Sequence, residues 1–267
     1  MTLKVTFDSN IFQHVLRPDK FPNDPELAAI QAIHDAIQKG DIQGFVAETM
    51  ADLEAIKRDD RASYFSSSSA QSKASEDVLP DGSIKLSFSL SPDPNAHPGV
   101  HQILIDRFSE AIVLGFKFMR CPRIGLPRPQ ILQDQWFVVE ADETSTKDRQ
   151  DLFFSALRKI EARGVGKAVV ETIGNSFVVT KGTQETWFEG LGYAQTPTEI
   201  KEVADAVGEW ADGDSVAAHI GYQNSFFCTR DIGVGAGTSI LNATNRTWLQ
   251  SDYGVEFVSA HELAAKL

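Results

Sequence analysis

Short apolar runs alternate with helix-spaced apolar repeats at both ends of this 267-residue chain. Residues 3–7 form an apolar, β-leaning run that ends at Asp8, and residues 10–15 start a helix behind it. Pro18, Pro22, Asn23, Asp24 and Pro25 make a turn, and Asp24 as N-cap with Pro25 in the first turn predicts a helix start. Leu27, Ile30, Ile33 and Ile37 then recur at helical spacing as far as Gly40. Residues 42–47 read as a second strand and 48–57 as a helix with Met50, Leu53 and Ile56 inward. Near the other end, 199–210 and 214–222 read as two helices and 225–229 as an apolar strand before Asp231. A last strand over 254–258 and a last helix over 261–267 follow. Such alternation predicts βαβ units around a parallel sheet.

The middle loses this rhythm. A serine run at 66–69 opens it, 84–90 alternates with a period of two as a half-buried strand does, and Pro92, Pro94 and Pro98 precede a helix near 100–114. Residues 136–140 look like a strand, 147–163 like an amphipathic helix, and 169–179 lean towards β. The expectation is one α/β domain made by residues 1–59 and 196–267, with 60–195 as a large mixed α+β insertion or extension. With 42% hydrophobic and 23% charged residues the chain is of globular composition. It has no apolar run of eighteen residues, so no membrane span is expected. Cys121 and Cys228 are too few for a disulfide framework and no secretory leader is evident, which points to the cytoplasm.

The net charge is −12, of which residues 1–59 carry −4, 196–267 carry −6 and the middle only −2. That balance excludes a protein that coats nucleic acid by bulk attraction, but not a nuclease, whose metal site is itself acidic. In a parallel sheet the strand C-termini line one edge, where ligands bind. Asp8 follows the first strand, Glu48 closes the second with Glu54 in the helix after it, Asp214 opens a helix, and Asp231 follows a late strand. Taken singly, Asp8 or Asp214 reads equally well as an N-cap, Glu54 as a solvated helix residue and Asp231 as a turn residue. Together they place several carboxylates on one edge, an arrangement that hard cations such as Mg²⁺ or Mn²⁺ neutralise.

The segments 5–12 (VTFDSNIF), the Glu48/Glu54 helix, 214–219 (DSVAAH) and 226–231 (FFCTRD) resemble the motifs of PIN-domain nucleases. The resemblance covers about half the chain, residues 1–58 and 198–267. It implies a Rossmann-like three-layer sandwich around a central parallel sheet and Mg²⁺- or Mn²⁺-dependent cleavage of RNA. On it Asp8, Asp214 and Asp231 become metal ligands, with Glu54, or Glu48 in its place, as the helical acid, and Asn10 and Thr229 as supporting polar groups. A metal-activated water would attack the phosphodiester in line. The family's toxin members are restrained by a protein partner, which extends to an inhibitory partner here; a homo-oligomer is left open.

Other features compete with this reading. Residues 116–123 (FKFMRCPR) interleave cations with aromatics and read either as an RNA-contact strip or as a strand and loop with core aromatics. His97 and His101 have metal-like spacing, but Pro98 and Gly99 prevent helical display. Residues 233–237 (GVGAG) fit a flexible turn better than a dinucleotide loop. His219 reads as a partly buried helix residue and Cys228 as a buried thiol. Two further functions remain open: a haloacid-dehalogenase-type phosphohydrolase, disfavoured by Asn10 where that chemistry uses a second Asp, and a catalytically silent binding module.

Overall fold

The computed structural model describes residues 2–66, 70–78, 83–92, 102–123, 131–233 and 239–267. In chain order the elements are β1 (Leu3–Phe7), α1 (Ser9–Leu16), α2 (Leu27–Lys39), β2 (Ile42–Ala47), α3 (Arg61–Ser66), β3 (Ala70–Val78), β4 (Ile84–Pro92) and α4 (Gln102–Leu114). There follow β5 (Lys117–Met119), α5 (Glu143–Ala162), α6 (Lys167–Lys181), α7 (Trp187–Leu191), α8 (Pro197–Gly221), β6 (Phe226–Cys228), α9 (Ala243–Tyr253), β7 (Phe257–Val258) and α10 (Ala260–Ala264).

Five strands form one sheet in the order β5-β2-β1-β6-β7, and every pairing in it is parallel. β3 and β4 form a separate antiparallel pair. Because successive strand residues point to opposite faces, the apolar side chains of the sheet divide between two layers of helices. Phe7, Val46, Phe118 and Cys228 pack into the core shared with α1, α2 and α10. Phe45, Met119 and Phe227 pack into a second core with α5, α8 and α9. A third cluster, centred on Phe65, Leu191 and Trp210, joins α3, α7 and α8 away from the sheet. Helices on both faces of an all-parallel sheet are the α/β arrangement the alternation predicts. No helix among the described residues is long and apolar enough to cross a membrane.

Several elements differ from the reading of the sequence, each for a local reason. β5 lies inside the stretch 60–195, yet it pairs with β2, so the central sheet takes a strand from the middle of the chain. The β-leaning residues 169–179 are helical in α6, which Gly182 closes at φ 69°. There α6 and α7 approach so closely that a Cβ on Gly174 would meet the Trp187 carbonyl; packing of this kind overrides the modest β preference of valine and isoleucine. Residues 136–140 contribute only an isolated bridge, Phe118 to Phe137, after a 3₁₀ turn. α2 starts at Leu27 with Glu26 as cap, while the Asp24 carboxylate accepts from the Glu26 N–H and pairs with Arg230 and His14. The helix expected after β2 is one π-helical turn, Met50–Glu54. Most consequentially, the two helices expected over 199–222 are one continuous helix, α8.

Candidate functional site

At the C-terminal edge of the sheet, Asp8 leaves β1 and caps α1. Its carboxylate accepts from the Ser9 N–H (2.7 Å), Asn10 Nδ2 (2.7 Å) and Thr229 Oγ1 (2.6 Å). Thr229 follows β6, and its hydroxyl also accepts from the Asp231 N–H (3.0 Å). A short relay thus joins the ends of two neighbouring strands, and Asn10 closes it by accepting from the Arg230 N–H. Asp231 Oδ1 accepts from the Gly233 N–H in a turn at φ 66°, where a side chain on residue 233 would strike Asn242.

Glu54 comes from the other side. The π-helical turn bonds the Ala55 N–H to the Met50 carbonyl, and Glu54 Oε1 accepts the Ser9 hydroxyl at 2.6 Å. Burial, and then the charge of Asp8, push the Glu54 carboxyl up to about 7. Glu48 is 2% exposed, and its carboxylate accepts from the Cys121 N–H beyond β5.

Asp214 is placed elsewhere. It is fully buried, and Arg123 grips both of its oxygens while donating to Glu161 at 2.9 Å. The member of α8 that meets the acidic edge is Asp212, whose carboxyl Asp8, Glu54, Glu209 and Asp231 all push upward. Helix phase explains the exchange. Two residues along an α-helix turn the side chain by about 200°, so Asp212 and Asp214 face opposite ways. The register is held by a buried contact: His219, two turns beyond Asp212, meets Thr6 Oγ1 at 2.8 Å, and Asn224 donates to the same oxygen. His219 is thus aligned with Thr6 as Asp212 is with Asp8. Burial drives the His219 pKa down to about 3, so the ring is neutral.

Comparison with protein-family models, with curated proteins and with solved structures gives no match. The site therefore has to be judged on its own chemistry. Burial pushes Asp8 and Asp212 up, with neighbouring carboxylates adding to it, and lifts Glu54 to about 7. Among the described residues no group of three or more His, Cys, Asp or Glu side chains is arranged so that it could hold a metal ion. The donor set nonetheless suits a hard divalent cation: all-oxygen, anionic and mutually repelling, with the repulsion removed once a cation is shared.

In the strip at 116–123 the aromatics are internal. Phe116 and Phe118 are fully buried, Arg120 pairs with Asp134, and Arg123 is taken by Asp214. Cys228 is buried as expected. His97, His101, Arg128 and residues 234–237 lie outside the described residues.

A pH effect follows. Carboxyls whose folded pKa is raised stabilise the protein when protonated and lose that contribution as pH rises. For Glu54 the window runs from about 4.5 to about 7. His219 acts oppositely, since its depressed pKa removes stability as pH falls below 6.5. In metal-free buffer, melting temperature should therefore rise from pH 8 to pH 6.5, by ~1.4 kcal/mol of stability per pH unit for each proton taken up. The rise should shrink in Glu54→Gln. An identical slope in that variant rules the explanation out.

Proposed function

We propose that the chain is a metal-dependent endoribonuclease with a PIN-like fold. In this reading Asp8, Glu54, Asp212 and Asp231 hold one or two Mg²⁺ or Mn²⁺ ions at the C-terminal edge of the sheet. The observation that supports it most is that Asp212, on α8, is pushed up by burial and then by the charges of Asp8, Glu54, Glu209 and Asp231, which come from β1, the turn after β2, α8 itself and the end of β6. Structural N-caps would not need to meet. The similarity of residues 5–12 and 226–231 to the PIN motifs supports the same reading, with Asp212 in the place first given to Asp214.

The chain's own groups have separate tasks. Three hydrogen bonds to Asp8 hold its carboxylate in one orientation. Thr229 couples that orientation to the Asp231 backbone. Glu54 is steered by the Ser9 hydroxyl. The ion would supply Lewis acidity toward water and the phosphoryl oxygens.

Calorimetry with Mn²⁺ and a cleavage assay on single-stranded RNA test this. Saturable binding together with EDTA-sensitive cleavage is expected. No saturable binding would make the chain a silent scaffold. Hydrolysis of small phosphomonoesters in preference to RNA would favour the phosphohydrolase reading instead.

A further inference from the structure

An acidic centre in a chain of net charge −12 repels a polyanion, so a nuclease of this kind needs cations beside its metal. Lys117, Arg120 and Arg123 were the evident sequence candidates, but Arg123 is spent on the buried Asp214 and Arg120 pairs with Asp134 at the surface. A different set of cations lies next to Glu54. Between α1, the turn after β2 and α4 is a cavity of about 310 Å³, with Ser9 and Glu54 on one wall and Arg58, Arg61 and Arg107 around it.

The charge of these arginines is incompletely cancelled. Arg107 donates to the neutral Gln13 Oε1 at 2.8 Å. Arg61, almost buried, donates to the carbonyls of Ala204 (2.6 Å), Ile56 (3.3 Å) and Glu54 (3.4 Å), which are neutral as well. Arg58 pairs with Asp205, but that one carboxylate also binds Lys201 at 2.6 Å. The remaining wall is apolar, formed by Phe12, Leu104 and Phe108.

We infer that this cavity seats the phosphate adjacent to the scissile one in a single-stranded nucleic acid, with Arg107 and Arg58 as its direct contacts and Arg61 as the buried charge behind them. The inference rests on the proposed nuclease reading and adds the path of the strand: from the carboxylates, past Ser9 and Glu54, into the cavity. Guanidinium groups suit phosphate oxygens because their N–H donors are forked and always charged. The apolar wall suits sugar rather than a stacked base, since Phe12 and Phe108 are buried.

The test uses the full chain and a fluorescent single-stranded RNA oligonucleotide, read by anisotropy without divalent metal so that binding is measured apart from cleavage. Arg107→Gln/Arg58→Gln should weaken binding at least about tenfold. The slope of log affinity against log salt should fall by ~0.7, as loss of one neutralised phosphate of a single strand requires. Its melting temperature and Mn²⁺ affinity should stay those of wild type. A control, Lys147→Gln/Lys159→Gln, removes the same charge away from the cavity and should change affinity less than twofold. Three results overturn the inference: wild type that does not bind the oligonucleotide, a double variant with unchanged affinity and slope, or a control that loses as much as the double variant. A nucleoside monophosphate competing as well as the oligonucleotide would put a free nucleotide in the cavity and overturns it too. Mn²⁺ calorimetry on wild type reports separately on the nuclease reading, so the two can fail independently.

Discussion

Asp212→Asn should abolish saturable Mn²⁺ binding and RNA cleavage, whereas Asp214→Asn should leave Mn²⁺ affinity within about twofold of wild type. Loss of an outer partner of a metal ligand costs roughly 10–100-fold in affinity or activity, and loss of a ligand costs more. The amide keeps the shape of Asp212 but removes the charge that Asp8, Glu54 and Asp231 share with a cation. Without metal, Asp212→Asn should also stabilise the fold, because it deletes a half-buried carboxyl that its neighbours repel. Greater thermal stability joined to lost activity separates a functional acid from a structural one. The reverse pattern, with Asp214→Asn inactive in binding and Asp212→Asn normal, would return the site to the position first read from the sequence.

The sequence pointed to Asp214 where the proposal takes Asp212, and the reasons are local. Residues 3–7 and 42–47 were readable as strands because short apolar runs bounded by Asp8 and by Gly40 and Asp41 leave little choice of length. Asp8, Asn10 and Thr229 were readable as a group because each sits at a strand end, and strand ends are where a parallel sheet gathers its ligands. α8 was harder. Gly208 and Gly213 and the small residues after Asp214 suggested a break, and a break makes the first acid after it a cap. In a continuous helix the informative pattern is the spacing of Asp205, Glu209 and Asp212 at i, i+4 and i+7, which puts three acids on one stripe. Glu54 sits in a π-helical turn, whose phase has no plain sequence signature. The arginine cavity depends on α4 lying beside α1, a long-range contact that no local pattern reports.

Arg123→Ala is expected to destabilise the protein by ~3–5 kcal/mol, the usual result of removing one member of a buried ion pair. Arg123 is 8% exposed at its side chain and Asp214 is fully enclosed, so the orphaned carboxylate has no route to water. Burial already pushes Asp214 upward despite its partner; without the guanidinium it would hold a proton further into the neutral range. A carboxyl that must bind a proton to stay folded makes the loss larger as pH rises, so the deficit should be greater at pH 8 than at pH 5. The double substitution Arg123→Met/Asp214→Leu should recover most of the stability, since apolar residues of similar volume often replace a buried pair without penalty. Chemical denaturation of the four proteins at both pH values measures each of these differences. If Arg123→Ala costs under about 1 kcal/mol, or the deficit does not change with pH, the pair does not anchor the back of α8. The His219–Thr6 contact would then hold the phase of α8 without help from the pair.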